Sequence, residues 1–507
     1  PIDADTESYQ MPGLRPGASV EHSYRVRRRP AAFQFESGPF YFMDPQLQEP
    51  FWLSRWILII HEKAPVEIVR RNLNRPGITY EVRSEGEWKI HTFTARHQPR
   101  VEPEPMAPGR DELLPWIRVI ETKRLDDLDG LYRERALAGR APTPSIAAKV
   151  RELLTGKESE QERAELLLGF VHEHVTSPGN GGNPARILAS RRGSKIALYR
   201  ALLRAAKVPH ALAFAGRSPH ARTRTDWSVP EFGQFALPLV RIAPRGGAPY
   251  YVLPSADRLA DRHRLPSQLW GAPVYVSAEE GGFLEILPEG SLEDEAIRTR
   301  LRLTLDERGG ARIIWRQELR GFGYFRLKAQ IAATPSARLN GFFERQLAGQ
   351  FPGARLKRFA TPSVEKVGTP VRWKLEGTAT QVLQKRQDGT YWLSNLIGPS
   401  RVGARFGSHR TRKFALAFDE PLVLQDTSDV VLGPFACPHL PTELRINRRL
   451  LQYSLRATRT APDRVRLERR LVIRPGRVSP AEYERFRQQL QRIDRAEQAG
   501  LLLEKRK

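Results

Sequence analysis

Cysteine is nearly missing from this chain. One residue, Cys437, stands in 507 positions. That excludes an internal disulfide framework and a metal site built on paired cysteines. Acidic residues are in deficit, with 57 Asp and Glu against 82 Lys and Arg, so the formal net charge is +25. Long apolar runs are missing too. No stretch reaches 18 consecutive apolar residues, the length a membrane-spanning helix needs. The densest run, Phe51 to Ile60, is broken by Arg55 and reads as a buried strand with its approach. The glycines of Thr176 to Pro184 follow no strand of the phosphate-binding type and precede no Lys-Ser/Thr pair, so that stretch reads as a turn-rich connector. Zinc-ligand spacing, aromatic RNA-binding signatures and long basic blocks are all missing, which makes nucleic acid an unexpected partner.

What is present is enough apolar matter for real cores. Hydrophobic residues make up 40% of the chain, with 9 tryptophans, and the length allows two to four domains. Helical spacing runs from Ser145 to Leu154 and from Gln161 to Val175, and Glu158 to Glu162 place acids where the second helix dipole favours them. His172 and His174 lie on that second helix. Two residues apart, they point to different sides and cannot ligate one metal together. From about Gly281 the text changes to short alternating strands, as in Leu301, Leu303 and Leu305, broken by one helix from Ser336 to Gln350. Ser479-Pro-Ala-Glu482 is a capping box, and Tyr483, Phe486, Leu490 and Ile493 then give one apolar stripe.

The most informative segment runs from Ala185 to His210: Ala-Arg-Ile-Leu-Ala-Ser-Arg-Arg-Gly-Ser-Lys-Ile-Ala-Leu-Tyr-Arg-Ala-Leu-Leu-Arg-Ala-Ala-Lys-Val-Pro-His. It resembles the centre of the transglutaminase-like (papain-like) proteins of bacteria. In that family a cysteine starts an Ala/Leu-rich helix, where the helix dipole lowers the thiol pKa, and a turn leads on into a strand. A histidine takes the proton and an Asp or Asn orients the histidine. The resemblance puts either Arg192 or Ser194 at the nucleophile position. Ser194, just before an apolar-periodic run, also reads as a helix N-cap. The histidine position falls on Gln234, within Phe232 to Val240, and the acid position on Leu253, within Tyr251 to Ser255. His210 and His220 read as solvated, and Asp257 as a loop carboxylate. Leu265-Pro-Ser-Gln-Leu-Trp-Gly271 matches the end of the family pattern.

Further likenesses flank the core. Tyr9 to Tyr24, Glu102 to Pro108 and Leu114 to Val119 resemble the β-rich domain of unknown function that precedes this core in many bacterial proteins. The chain is expected to lack that domain's first strands and any export signal. Strands after Gly281, the "Phe-Pro-Gly-Ala" at Phe351 and the closing helix resemble the family's C-terminal region. The resemblance therefore implies a multidomain α+β protein: residues 1–140 a β-rich, sandwich-like domain, 141–280 a transglutaminase-like core, and 281–507 a β-sandwich-like domain ending in a helix. It implies a periplasmic or secreted protein with no metal and no cofactor. Cys437 reads as structural. Failure at the nucleophile, base and acid positions points to a pseudoenzyme that binds a protein or peptide. Two alternatives stay open: a residual hydrolase or acyltransferase using Ser194, and a basic binder of an anionic polymer or envelope component.

Overall fold

Period-two alternation builds most of this molecule from antiparallel sheets, and the longer helices lie in its middle and last regions. The computed structural model describes residues 36–43, 50–121, 143–218 and 234–506, less single positions within them, together with Gly130 and scattered positions among 13–23. His220 and most of Tyr9 to Tyr24 lie outside the described residues.

The first region holds β1 (Glu36–Tyr41), β2 (Phe51–His61), β3 (Val66–Arg71), β4 (Ile78–Glu85), β5 (Trp88–Gln98), the short helix α1 (Arg110–Leu113) and β6 (Trp116–Glu121). Two three-stranded sheets form, in the orders β1-β6-β3 and β2-β5-β4. Phe42, Phe93, Ala95 and Ile117 pack between them, with Trp56 against that cluster. The reading of β2 as a buried strand is corrected here. It is a strand, but an edge strand with one open face, and Ile57 and Ile59 are more than half exposed.

The middle region carries α2 (Pro144–Leu153), α3 (Glu160–His174), β7 (Ser177–Pro178), α4 (Pro184–Ser190), β8 (Arg192–Gly193) and α5 (Lys195–Ala205). Then come β9 (His210–Ala215), β10 (Leu237–Ile242), β11 (Tyr250–Val252), β12 (Pro273–Ser277) and β13 (Phe283–Ile286). Helix α3 starts on a complete capping box, Ser159 with Glu162. Leu167, Leu168 and Val171 of α3 meet Leu198, Leu202 and Leu203 of α5 in one core with Val240 and Ile242 of the sheet. The sheet order is β11-β10-β9-β12-β13. Its other face is lined by Ala211, Ala213 and Ala215 of the central strand, whose small side chains let the sheet curl. The curl brings Glu285 of β13 to Arg241 of β10, with N–O distances of 3.0 and 2.9 Å.

The last region is built on an eight-stranded sheet. Its strands are β14 (Ala296–Leu305), β15 (Ala311–Leu319), β16 (Ala354–Ala360), β17 (Val371–Ala379), β21 (Leu422–Val431), β23 (Leu444–Asn447), β24 (Leu451–Ala461) and β25 (Arg464–Ile473). The order is β16-β17-β15-β14-β21-β25-β24-β23, all antiparallel except β14 with β21. A four-stranded sheet of β18 (Leu383–Lys385), β19 (Tyr391–Leu393), β22 (Phe435–Ala436) and β27 (Leu501–Lys505) shares its core, and β20 (Leu416–Phe418) pairs with β26 (Gly476–Val478). Helices α6 (Tyr324–Ala333), α7 (Ser336–Gln350), α8 (Val402–Phe406) and α9 (Pro480–Glu497) pack beside the sheets. Two expectations change. Helices α6 and α8 join the one expected from Ser336 to Gln350. The chain does not stop on the capped helix α9 either, because β27 follows it and pairs with β19 and β22. A buried ion triad fixes α9 to the sheet: Arg469 of β25 reaches Glu497 at 2.8 Å and also Asp426 of β21.

The Pro-rich stretch Glu102 to Pro108 is a strap onto the last region. Glu104 accepts from the main-chain N–H of Lys413 at 2.7 Å and of Phe414 at 3.2 Å. It also pairs with Arg412 at 3.3 Å, both side chains being buried. Removing one partner of a buried pair strands the other charge and costs about 3 kcal/mol or more. Glu104→Ala is therefore expected to lower unfolding free energy by about 3 kcal/mol. Glu104→Gln, which keeps an acceptor for one of the two N–H groups but not the charge that pairs with Arg412, should recover only part of that loss. Denaturant titration of the three proteins measures the difference.

Candidate functional site

The start of α5 is placed by the chain before it. Strand β8 lies parallel to β7, and Gly179 N–H donates to the Gly193 carbonyl at 3.0 Å. Gly193 takes φ +130° there, a conformation that L side chains rarely adopt. Ser194 follows with extended backbone, and its Oγ accepts the N–H of Ala197 at 3.2 Å. It is the N-cap of α5. Ser194 heads the helix, and Arg192 is exposed on the two-residue strand before it.

No histidine or carboxylate among the described residues is hydrogen-bonded to Ser194 Oγ. Three histidines of the middle region, His172, His174 and His210, are each held by a main-chain carbonyl. His172 Nε2 meets Pro254 O at 3.1 Å, His174 Nε2 meets Leu188 O at 2.7 Å, and His210 Nδ1 meets Val208 O at 2.8 Å. A ring nitrogen facing a carbonyl must carry the proton, which sets each tautomer. His172 and His174 thus serve partners on opposite sides of α3. The expectation that His210 is solvated is corrected. Burial, with Arg200 and Arg204 nearby, pushes its pKa down to about 4. Those two arginines lie six and ten positions beyond Ser194, roughly 9–15 Å along the helix at 1.5 Å per residue, so His210 faces its far half.

Gln234 is buried just before β10. Its side-chain amide cannot take and return a proton near neutral pH. Leu253 packs against the apolar clusters at the end of β11. Asp257 Oδ1 accepts the Leu259 N–H at 3.0 Å, a local loop bond. Cys437 lies in the last region, buried, with Sγ donating to His439 O at 3.2 Å. Burial raises its thiol pKa, the opposite of what a nucleophile needs.

One residue not singled out above dominates the site. Lys195 is buried at the first position of α5, and its Nζ donates to the Ala256 carbonyl at 2.9 Å. Burial lowers its pKa and the nearby Asp257 carboxylate opposes that shift. A cation at a helix N-terminus is opposed by the dipole, so Lys195 needs a tertiary reason to be there. That mismatch was visible in Ser194-Lys195. His172 and Lys195 together pin residues 254–256 to the helices.

The same loop is held from its other side by the last region. Ala256 and Ala260 pack on Phe325, and Gly368 N–H donates to Leu259 O at 3.3 Å. Arg264 bridges Asp261 and Asp294, each at 3.1 Å. A shallow open depression lies at this seam, lined by Asp261, Arg264, Arg320, Gly321, Tyr324 and Gly368. Glu295 stands at the same seam. Desolvation, then the neighbouring Glu420 carboxylate, raises its pKa to about 7, while the Phe322 N–H works against the shift.

No family model and no curated protein matches this chain. A crystal structure of a protein from Parabacteroides distasonis ATCC 8503, described as a candidate protease, is similar to it in fold. The TM-score is 0.56 at 11% sequence identity, covering 93% of this chain and 76% of that one. At this identity the likeness concerns the fold. It spans all three regions.

Glu295 binds its proton more tightly in the folded chain than in the unfolded one. Its contribution to stability is therefore complete below the ordinary value of 4.5 and is lost as pH rises to about 7. A raised pKa of this size corresponds to up to about 3 kcal/mol. Unfolding free energy measured from pH 4.5 to 8 should fall through that window in the native chain. In Glu295→Gln that part of the slope should be absent.

Proposed function

We propose that this chain is a transglutaminase-like (papain-like) protein whose core has become a non-catalytic binding or assembly module. The observation that carries the reading is the state of Ser194. Its Oγ is the N-cap of α5, and the next residue, Lys195, crosses to the Ala256 carbonyl. In the reading proposed, the three positions of the triad are Ser194, Gln234 and Leu253. A hydroxyl needs a base to become a nucleophile, the base needs an orienting acid, and here an amide and an alkyl group stand at those two positions. The likeness in fold to a candidate protease supports the protease-like ancestry of the core, and the collinear motifs of the sequence support the narrower family. The module would act by holding a protein or peptide. By the same resemblance, its place is the bacterial cell envelope, in the periplasm or secreted.

The test is chemical. Fluorophosphonate and iodoacetamide probes applied to the folded protein should leave Ser194 and Cys437 unmodified. Ser194→Ala should lower stability by about 1 kcal/mol through loss of the cap, and Ser194→Gly by only a few tenths. A stoichiometric adduct on Ser194 that disappears in Ser194→Ala would overturn the reading.

A further inference from the structure

The eight-stranded sheet has two unlike faces. On β14, Leu301, Leu303 and Leu305 point into the core while Arg300 and Arg302 point out. On β15, Ile313 and Trp315 are buried while Arg312 and Arg316 are exposed. The register sets Arg300 directly opposite Arg316, and Arg316 opposite Lys374 of β17. Directly opposed residues have Cβ atoms about 5 Å apart, and like charges so placed repel.

Elsewhere on this face cations are matched. Arg298 and Arg372 both reach Glu318, at 3.2 and 2.7 Å, and Arg358 and Lys374 both reach Glu376, at 2.9 and 2.5 Å. Arg466 pairs with Asp429 at 2.7 Å. Arg300, Arg302, Arg312 and Arg316 have no ion-pair partner among the described residues. The centre of the sheet is therefore an exposed cluster of guanidinium groups, with one carboxylate beside it by register, Asp429 opposite Arg302, which is itself paired with Arg466.

Guanidinium forks match carboxylate or sulfate oxygens two at a time. The residues around the cluster refine the choice of partner. Thr304 and Thr427 occupy register positions beside the cations and offer hydroxyl groups, while the Gln425 amide is already bonded to Arg298 and Glu293. Among the residues whose register puts them on this face, none is aromatic, so bases would find no stacking platform. Beside the cluster the apolar residues are Ile314 and Val431, and Ala296, Val423 and Val472 farther along the same face are buried with Leu292, so too little is open to insert into a lipid surface.

We propose that the outer face of the eight-stranded sheet, centred on Arg300, Arg302, Arg312 and Arg316, binds a linear acidic polysaccharide. Carboxylates along the polymer pair with the arginines, and sugar hydroxyls meet the threonine side chains. The proposal is independent of whether the core of α3, α5 and the five-stranded sheet has lost its chemistry.

Binding to polygalacturonate is measured by titration of the full chain over a range of salt concentrations. Double-stranded DNA and phosphatidylglycerol vesicles serve as competing anionic surfaces. The native chain should bind polygalacturonate more tightly than either. Arg300→Gln/Arg316→Gln should weaken that binding by roughly ten-fold or more and flatten its salt dependence. Arg151→Gln/Arg186→Gln removes the same charge from exposed helical positions of the middle region. It should change affinity by less than about two-fold if the sheet face is the site, since surface charge far from a contact is largely screened. Circular dichroism checks that both variants fold. Equal losses in the two variants would overturn the proposal, as would tighter binding to DNA or vesicles.

Discussion

The loop from Pro254 to Asp261 holds the molecule together where a cleft would otherwise open. Within six residues, the carbonyls of Pro254, Ala256 and Leu259 accept from His172, Lys195 and Gly368. Those donors come from α3, from α5 and from the segment before β17. Buried polar groups must be paired, and each of these donors is costly to leave alone, the lysine most of all. The helices, the curled sheet and the last region are positioned against one another through this one stretch of main chain. The packing of Phe325 on Ala256 and Ala260 adds apolar burial to the same seam.

That constraint bears on chemistry. A catalytic cleft in this kind of core needs a free nucleophile at the helix start and mobile access to it. Here the helix start is spent on structure. Ser194 caps the backbone, Lys195 fastens the neighbouring loop, and His172 and His174 of α3 are bonded to carbonyls. The same side-chain economy appears in the last region, where Arg469 binds two carboxylates and Glu104 satisfies two main-chain donors and Arg412. Charges in this protein are used inside as fasteners. The exposed arginines on the sheet face stand apart from that pattern.

Much of the local structure was legible in the sequence because it depends on near neighbours. The capping box at Ser479, the helix from Ser336 to Gln350 and the cap at Ser194 follow from side chains that satisfy backbone groups within a few positions. Tertiary placement was not legible by the same rules. Apolar periodicity in β2 looks the same on a central strand and on an edge, so its open face was missed. The burial of His210 depends on helix α5 folding back over β9, which no local pattern encodes. Strand β27 is short, and its partners β19 and β22 lie far away in the chain. Of the candidate site, the amide at Gln234 and the alkyl group at Leu253 are plain in the sequence, and that they stand at base and acid positions belongs to the proposed function. The role of Lys195 could not be read there, although a cation at the positive end of a helix was a warning sign.

Amide hydrogen exchange across residues 254–261 tests the central claim most directly. In the native chain the hydrogen-bonded, buried amides of Ala256, Leu259 and Ala260 should exchange as slowly as those of α5, opening only with the core. In Lys195→Met, which keeps the apolar stem and loses the bond to Ala256, the loop should exchange at least ten-fold faster while α3 remains protected. Fast exchange of the loop in the native chain, or no change in the variant, would contradict the account.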